Sequence, residues 1–315
     1  MSVAMKTEEA PGLTFSYSKE FNDLVVEMHR GREALPRYSH WIQDNLGGEG
    51  SRLDHFSKYL YPEIRRHCGD LSSKRVLDFG CGTGASTVVL ANHAREVVAF
   101  DINPNTVAIC QRRLQEHGLA DRARAVSAPD FRSLQPELGS FDFILLEAVL
   151  EHIPITLRGL RSELLRTLFA VLKPGGHLFI SGTPNRLWPF DFHTTQLWWI
   201  PWTPPGSKWA YSRAVRKGRF ADNPGGPPRG TVFLEEEGAW GTTYFHILKS
   251  LPRDSFDVVN SAPGHNRHVS YSYRPHYREI FDFLVYTFLT SWSRVPPTAL
   301  CPAIENLAIR KREEA

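Results

Sequence analysis

Three glycines, Gly80, Gly82 and Gly84, stand at alternate positions directly after the apolar residues of "RVLDFG", and a helix-like stretch follows them. A strand that ends in a glycine-rich turn and feeds a helix lets a ligand approach the backbone and use its amides. Asp78 lies two residues before the first glycine. A carboxylate there attracts an ammonium group and repels a diphosphate. The local chemistry therefore favours a ligand that carries a positive charge.

A dinucleotide-binding loop is the alternative, because Gly80, Gly82 and Ala85 satisfy the looser form of its glycine pattern, G-x-G-x-x-A. Asp101, followed by Ile102, ends the next predicted strand in "VVAFDINP". An acid at this point can accept hydrogen bonds from both hydroxyls of a ribose, in a dinucleotide or in another nucleoside. These residues alone predict a nucleoside-containing ligand and leave the rest of that ligand open.

The stretch "VLDFGCGTG" resembles motif I of the class I S-adenosylmethionine-dependent methyltransferases. The resemblance implies that the loop faces the amino-acid and ribose parts of S-adenosylmethionine. It also implies that Asp78 orders the loop and, often through water, holds the methionine ammonium, while Asp101 binds the ribose. Cys81, between two of the glycines, is expected to be a small filler within this cofactor loop.

Later stretches resemble the same family in the same order, so that the resemblance covers about residues 57–190. In "SAPDF" it implies that Asp130 accepts from the adenine amino group and that Phe131 lies beside the ring. In "FDFILLEAVLEHIP" it places Glu147, Ala148 and Leu150 near the sulfonium, and "LKPGGHLFISGTPNR" follows. An acid after a strand is also a common helix cap, which is the alternative for Asp130.

Methyl transfer to a hydroxyl or ammonium requires that a proton be removed from the acceptor, so a base is expected near the carboxyl ends of strands four and five. His193 and His152 are the candidates for catalysis, with lid packing and helix bracing as their respective alternatives. We expect His193, Tyr211, Trp188 and His246 to contact the substrate. A purely structural role is the alternative for His246, on a helix face.

Residues 186–240 hold six of the eight tryptophans, together with many prolines and glycines. So long an irregular stretch is typical of a lid or binding element. Its tryptophans form either the core of that lid or an aromatic wall for the acceptor. A basic cluster within it is either a solvated face or a grip on an acceptor carboxylate or phosphate; its members are Lys208, Arg213, Arg216, Lys217 and Arg219.

The elements that position these residues alternate short apolar strands with helices from Arg75 onward, which predicts a doubly wound α/β fold. We expect a Rossmann-like, mostly parallel seven-stranded sheet with an N-terminal helical cap and an insertion after strand five. The predicted segments are a flexible tail (1–14), the cap (15–70), the cofactor-binding core (71–185), the aromatic-rich lid (186–245) and a C-terminal completion of the sheet (246–315). Helices are expected at 18–45, 53–66, 85–93, 104–117, 159–172, 242–251 and 276–293.

Composition indicates an ordinary water-soluble chain. The formal net charge is only +3, so overall charge favours neither a nucleic-acid nor a membrane partner. The chain has no apolar run of membrane-spanning length and no signal-peptide core, which predicts a cytoplasmic protein. The four cysteines are scattered, so we expect reduced thiols and no metal site. The apolar stretch 276–293 either packs under the lid or joins a partner chain in a homodimer.

Together these features predict a methyltransferase that acts on a small molecule, by O-methylation in natural-product tailoring. A methyltransferase for transfer RNA or a protein is one alternative, which the basic cluster supports. A protein that keeps the cofactor site without transferring methyl groups is another. A nicotinamide-dependent oxidoreductase is disfavoured because alanine stands at position 85 and the later motifs fit the methyl donor.

Overall fold

The computed structural model describes residues 12–30, 33, 38–157, 159–223, 226–259 and 295–313. These residues fall into two compact units, Met1–Pro129 and Asp130–Ala315. The boundary lies inside the predicted segment 71–185, and the five-part division of the chain stays a prediction. No helix within the described ranges is both long enough and apolar enough to cross a membrane. The helix expected at 276–293 lies outside the described residues.

The first unit contains a helical N-terminal part followed by a strand–helix–strand–helix–strand sequence. Its elements in chain order are α1 (Lys19–Met28), α2 (Tyr38–Asn45), α3 (Arg52–His55), a π-helical turn (Phe56–Leu60), α4 (Tyr61–Cys68), β1 (Arg75–Phe79), α5 (Ala85–His93), β2 (Glu96–Asp101), α6 (Pro104–Glu116) and β3 (Ala123–Ser127).

The strands of the first unit form where short runs of β-branched and apolar residues are bounded by turn residues. β2 lies between β1 and β3, and all three are parallel, with Val97 opposite both Val76 and Ala123. Val76, Leu77, Val97 and Val98 are fully buried. Because neighbouring side chains of a strand point to opposite faces, both faces of this sheet are covered, as the sequence predicts for a doubly wound domain.

The second unit continues the pattern and contains the predicted insertion. Its elements are α7 (Phe131–Leu138), β4 (Phe141–Glu147), a 3-10 turn (Leu150–His152), α8 (Leu160–Val171), β5 (Leu172–Ser181), β6 (Thr183–Pro184), β7 (Phe190–Asp191), β8 (Leu197–Trp198), α9 (Lys208–Arg216), α10 (Thr231–Glu236), α11 (Tyr244–Ser250), β9 (Phe256–Val258), a 3-10 turn (Pro297–Ala299), β10 (Ala303–Ile304) and β11 (Leu307–Lys311).

The seven strands of the main sheet are ordered β3-β2-β1 in the first unit and β4-β5-β11-β9 in the second. β4 and β5 are parallel, whereas β11 is antiparallel to β5 on one side and to β9 on the other. The chain thus has the mostly parallel, Rossmann-like α/β fold expected from its sequence. The last strand in the chain, β11, lies within "AIENLAIRKR", as predicted.

The insertion is more regular than its composition suggests. Residues 186–240 contain the antiparallel pair β7–β8 and the helices α9 and α10, so the expectation of an irregular stretch is wrong. They fold around a small core in which Trp240 is fully buried beside Ile200 and Leu234. Four other tryptophans are about half exposed: Trp198, Trp199, Trp202 and Trp209. The lid-core interpretation therefore holds for Trp240 and fails for these four.

A buried guanidinium ties the helical N-terminal part of the first unit to the glycine loop. Arg113 on α6 has no exposed surface. It donates to the Thr83 carbonyl at 2.8 Å, to the Tyr17 hydroxyl at 2.6 Å and to the Asn45 carbonyl at 3.1 Å. The rings of Tyr17 and Phe21 lie over it, 4.9 and 4.8 Å away. Fixed dipoles and aromatic faces thus replace the water that this charge has lost.

We expect Arg113→Lys to lower the free energy of unfolding by about 2–4 kcal/mol, because an ammonium cannot reach Thr83, Tyr17 and Asn45 together and leaves buried acceptors unsatisfied. Urea unfolding of the variant measures this change. Arg122→Lys, at an exposed position, is the control and should stay within about 0.5 kcal/mol of the parent. Equal losses in the two variants would contradict the role assigned to Arg113.

Candidate functional site

The glycine loop between β1 and α5 is held from below by a buried carboxylate. Asp78, only 1% exposed, accepts from the Ser86 hydroxyl at 2.8 Å and the Thr87 hydroxyl at 2.6 Å. Burial raises its pKa to about 6, against the opposing effect of these two bonds, and the Asp101 charge raises it further. Asp78 thus orders the start of α5, as predicted. Its contact with a methionine ammonium stays a prediction.

The end of β2 meets the same loop. The amide of Gly82 donates to Asp101 Oδ2 at 2.9 Å, and the amide of Asn103 donates to Oδ1 at 2.9 Å. A carboxylate oxygen can accept more than one hydrogen bond, so each oxygen keeps capacity for a ligand hydroxyl. Gly82 has φ +51°, and a Cβ there would meet no protein atom within 4 Å. The space in front of the loop is open, and Ile102 beside it is 67% exposed.

Contacts within the protein explain the residue types at the other positions of the loop. A Cβ on Gly84 would collide with Cys110 Sγ, so this glycine allows α5 to approach α6. The amides of Gly80 and Cys81 both donate to the Phe100 carbonyl, at 2.7 and 3.0 Å. A hydrogen bond with the neighbouring Cys110, together with burial, holds the pKa of the Cys81 thiol well above its usual range. Cys81 is therefore a filler, as expected, and not a nucleophile.

The predicted adenine contacts lie at the start of α7 in the second unit. Asp130 caps this helix, since its Oδ1 accepts from the Arg132 amide at 3.0 Å, and it forms an ion pair with the Arg132 guanidinium. These bonds hold the pKa of Asp130 below its usual range. Phe131 is 3% exposed. The structure thus gives Asp130 the helix-cap role that was its alternative, while the adenine contact stays a prediction.

The end of β4 carries a backbone strain. Ala148 has φ +53°, a left-handed conformation that residues with a side chain rarely adopt, and its amide donates to the Ser181 carbonyl at 3.0 Å. Glu147 before it is half-buried, and Leu150 after it is buried. Strain of this kind is common at functional sites. The expected position of these three residues near a sulfonium is not tested by the geometry of this unit.

Both predicted catalytic histidines lie beside a buried carboxylate. Glu151 has no exposed surface, and its Oε1 lies 4.0 Å from His152 Nε2 and 3.8 Å from His193 Nε2. Its Oε2 accepts from the Thr183 hydroxyl at 3.1 Å. Burial raises the pKa of the Glu151 carboxyl. Sequence reasoning missed Glu151, although it directly precedes His152 in "VLEHIP".

Asp191 fixes the segment that carries His193. It is 2% exposed and accepts from the amides of His193, Thr194 and Thr195, at 3.1, 2.9 and 2.8 Å, and from the Thr195 hydroxyl. Burial raises the pKa of Asp191, and these amides oppose the rise. The sequence signal was the "DFHTT" pattern, in which an acid precedes hydroxyl residues and can close a turn on its own backbone.

A cavity of about 270 Å³ in the same unit brings His246 near basic and hydroxyl groups, including Arg161, Ser162 and Arg186. His246 is exposed and lies 3.4 Å from the Ser162 hydroxyl. Arg161 is buried, which lowers its pKa to about 10. Its bonds go to main-chain carbonyls of Ile153, Glu151, Trp240 and Gly241.

Two of the expected substrate residues have structural contacts. The Tyr211 hydroxyl donates to Asp222 at 2.8 Å. Trp188 is half-buried, and its amide donates to the Asn185 carbonyl at 2.9 Å. Their contact with an acceptor stays a prediction. All four cysteines are buried and none forms a disulfide.

Residues 53–221 match the family Methyltransf_23, described as a methyltransferase domain. The chain belongs to this family. The match covers more than half of the chain and confirms the class recognised from "VLDFGCGTG", the S-adenosylmethionine-dependent methyltransferases.

Several relatives are named for one reaction. The chain is 36% identical over 117 residues to a ubiquinone biosynthesis O-methyltransferase from Xanthomonas euvesicatoria, which covers 37% of this chain and 46% of that protein. A protein of the same name from Pseudomonas fluorescens is 32% identical over 117 residues, covering 37% and 47%. The chain spans about half the length of these relatives.

The similarity to solved structures is low. The YcgJ protein from Bacillus subtilis is 20% identical with a TM-score of 0.34, covering 40% of this chain and 50% of that one. The [4+2]-cyclase SpnF is 21% identical with a TM-score of 0.38, covering 52% and 58%. Such scores support no inference about function.

We expect Asp78 to make stability depend on pH. Its folded pKa of about 6 lies above the ordinary value of 3.8, so the folded state binds the proton more tightly. The free energy of unfolding should therefore fall as pH rises from about 4 to 6, by on the order of 3 kcal/mol from this group, and stay level above that range.

Asp78→Asn removes this dependence, so the variant should gain stability relative to the parent as pH rises through that window. Urea unfolding at pH 4, 5, 6 and 7 measures the difference. Asp121→Asn, at an exposed turn position, is the matched control. A difference between the Asp78 variant and the parent that is constant with pH would contradict the assignment.

Proposed function

We propose that the protein transfers a methyl group from S-adenosylmethionine to a hydroxyl of a small molecule. The observation that carries the proposal is the pairing of the Asp101 carboxylate with the Gly82 amide, beside open space, in a chain of the methyltransferase family. S-adenosylmethionine brings a methyl group on a sulfonium that leaves as a thioether, so the cofactor supplies the activated bond.

The groups of the first unit fit a nucleoside with a cationic tail. Asp101 offers acceptor capacity at the end of β2, where a ribose would present two hydroxyls. The loop leaves room at Gly82 for a ligand to approach the backbone. Asp78 lies beneath the loop and supplies negative charge that suits an ammonium and a sulfonium.

The second unit offers the groups that an acceptor requires. His193 and His152 lie near Glu151, and a base of this kind removes the proton of an acceptor hydroxyl. O-methylation is the reaction named for the relatives in ubiquinone biosynthesis, which supports a hydroxyl acceptor. A role in natural-product tailoring stays a prediction.

Asp101→Ala should weaken S-adenosylmethionine binding at least tenfold, because a hydrogen bond to a charged group contributes about 1.5–3 kcal/mol. Isothermal titration with S-adenosylmethionine, S-adenosylhomocysteine and NADH in parallel measures this. Asp121→Ala, at an exposed turn, is the control with parental affinity. Binding of NADH alone by the parent would overturn the proposed cofactor, and unchanged affinity in the Asp101 variant would overturn the ribose assignment.

His193→Ala should lower turnover at least tenfold and leave the affinity for S-adenosylmethionine unchanged, because the histidine acts on the acceptor side. Turnover is measured with labelled cofactor against a panel of phenols, catechols, amines and carbon acceptors. Full activity of the variant would assign His193 to packing. Transfer to nitrogen or carbon acceptors only would contradict O-methylation.

A macromolecular acceptor is the second candidate, favoured by the basic surface of α9. Arg213 there lies over the Trp209 ring at 5.2 Å, and Lys208, Arg216 and Lys217 around it are exposed. Such a surface suits nucleic acid. Salt-dependent retention on heparin together with RNA methylation would favour this candidate, whereas turnover of a free phenol with no RNA binding would favour the small molecule.

A further inference from the structure

Three potential ligand atoms converge in the second unit. They are Glu151 Oε1, a His152 ring nitrogen and a His193 ring nitrogen, and all lie within 4.8 Å of one another. Glu151 has no exposed surface, and its Oε1 has no hydrogen-bond partner among the residues that the structure describes. The Nε2 distances of 4.0 and 3.8 Å are too long for hydrogen bonds. A buried acceptor atom therefore faces two imidazoles without bonding to either.

The hydrogen bond on the far side of His152 decides its tautomer. His152 Nδ1 lies 2.6 Å from the main-chain carbonyl of Glu236. A carbonyl oxygen can only accept, so Nδ1 must carry the hydrogen. In the neutral ring Nε2 then holds a lone pair, and this nitrogen faces Glu151 Oε1.

A hydrogen bond also decides the tautomer of His193. Its Nδ1 lies 3.1 Å from the Thr194 hydroxyl oxygen, and that hydroxyl donates its one hydrogen to the Glu237 carbonyl at 2.6 Å. The hydroxyl must therefore accept from His193, which places the ring hydrogen on Nδ1. Nε2 of this ring also presents a lone pair toward Glu151 Oε1.

We propose that Glu151, His152 and His193 bind a divalent transition-metal ion. Two imidazole nitrogens and one carboxylate oxygen are ligands that Zn²⁺, Co²⁺ or Fe²⁺ accept, with positions left for water or substrate. Ligand atoms about 2.0–2.2 Å from such an ion lie roughly 3–3.5 Å apart, so the site closes by side-chain shifts of under about 1 Å. A cation also relieves the repulsion among three lone-pair groups.

The surroundings hold the ligands as metal sites require. Metal-binding histidines usually donate their second ring hydrogen to a carbonyl or another oxygen, as both rings do here. The Thr183 hydroxyl fixes the other oxygen of Glu151. A Cβ on Gly238 would come within 3.0 Å of Glu151 and of the His193 ring, so the backbone packs directly against the ligands.

The surroundings of these three side chains also allow a cation to bind and to enter. The nearby Arg161 directs its hydrogen bonds to main-chain carbonyls, and none of these bonds goes to Glu151 Oε1. The side chains of His152 and His193 are 45% and 28% exposed, so an ion can enter from solvent. The prediction of no metal site rested on the scattered cysteines, and His193 is far along the chain from the other two ligands, so no local pattern marks this cluster.

Binding of the ion does not depend on the methyltransferase proposal. If that proposal holds, an acceptor hydroxyl bound at an open position would lose its proton more readily, because a metal ion lowers the pKa of bound water and hydroxyl groups. In that case the two histidines would serve proton removal through the ion that they hold, and the lower turnover expected of His193→Ala would follow from loss of that ion.

The test is titration of chelator-treated, dialysed full-length protein with Co²⁺ and Zn²⁺ alone, by calorimetry and by the visible absorption of Co²⁺. We expect one tight site per chain. Glu151→Gln, His152→Ala and His193→Ala should each weaken binding at least about tenfold, with folding checked by thermal melting. His246→Ala, an exposed histidine of the same unit, is the matched control and should keep the parental affinity.

Absence of tight binding in the parent, or equal affinity in parent and ligand variants, would overturn the site. A titration of the same samples with S-adenosylmethionine tests the proposed cofactor separately. Metal binding without cofactor binding would overturn the proposed function and support the metal site. Cofactor binding without metal binding would overturn the metal site and support the proposed cofactor.

Discussion

Charged side chains lose several kcal/mol of solvation when they leave water, and fixed dipoles must replace that water. This constraint shapes both units of the protein. In the first unit, Arg113 is enclosed by carbonyls, a hydroxyl and aromatic faces, while Asp78 is held by two hydroxyls. In the second, Asp191 is held by three amides, and Arg161 by main-chain carbonyls. Each buried charge fixes the backbone around it.

The fixed backbone holds the side chains of the candidate site in defined positions. Asp78 holds the start of α5 through the Ser86 and Thr87 hydroxyls, which restrains the glycine loop before it. Asp101 restrains the same loop by accepting from the Gly82 amide. Asp191 does the same for the chain around His193. Groups held in this way bind a ligand without first losing conformational freedom, which lowers the cost of binding.

In the proposed function the two units carry different parts of the chemistry. The proposed cofactor side rests on a loop whose residues are close in sequence and lie within the part of the chain that matches the methyltransferase family. The proposed acceptor side rests on Glu151, His152 and His193, in the unit that also holds an insertion with its own core and half-exposed tryptophans. One fold supports many reactions through such local differences, so the family assigns the cofactor class, and we expect the insertion to influence which acceptor is used.

By itself the sequence determined the strands of the main sheet and the glycine loop in outline, because periodicity, turn residues and strand ends are local properties, while the ligand contacts of Asp78 and Asp101 stay predictions. It missed α9 and α10, whose flanking prolines and glycines hid their helical pattern. Only the tertiary structure brought Glu151 to His193 and enclosed Arg113, because such contacts join residues far apart in the chain. No local pattern encodes them, since their energy comes from desolvation that exists only in the folded protein.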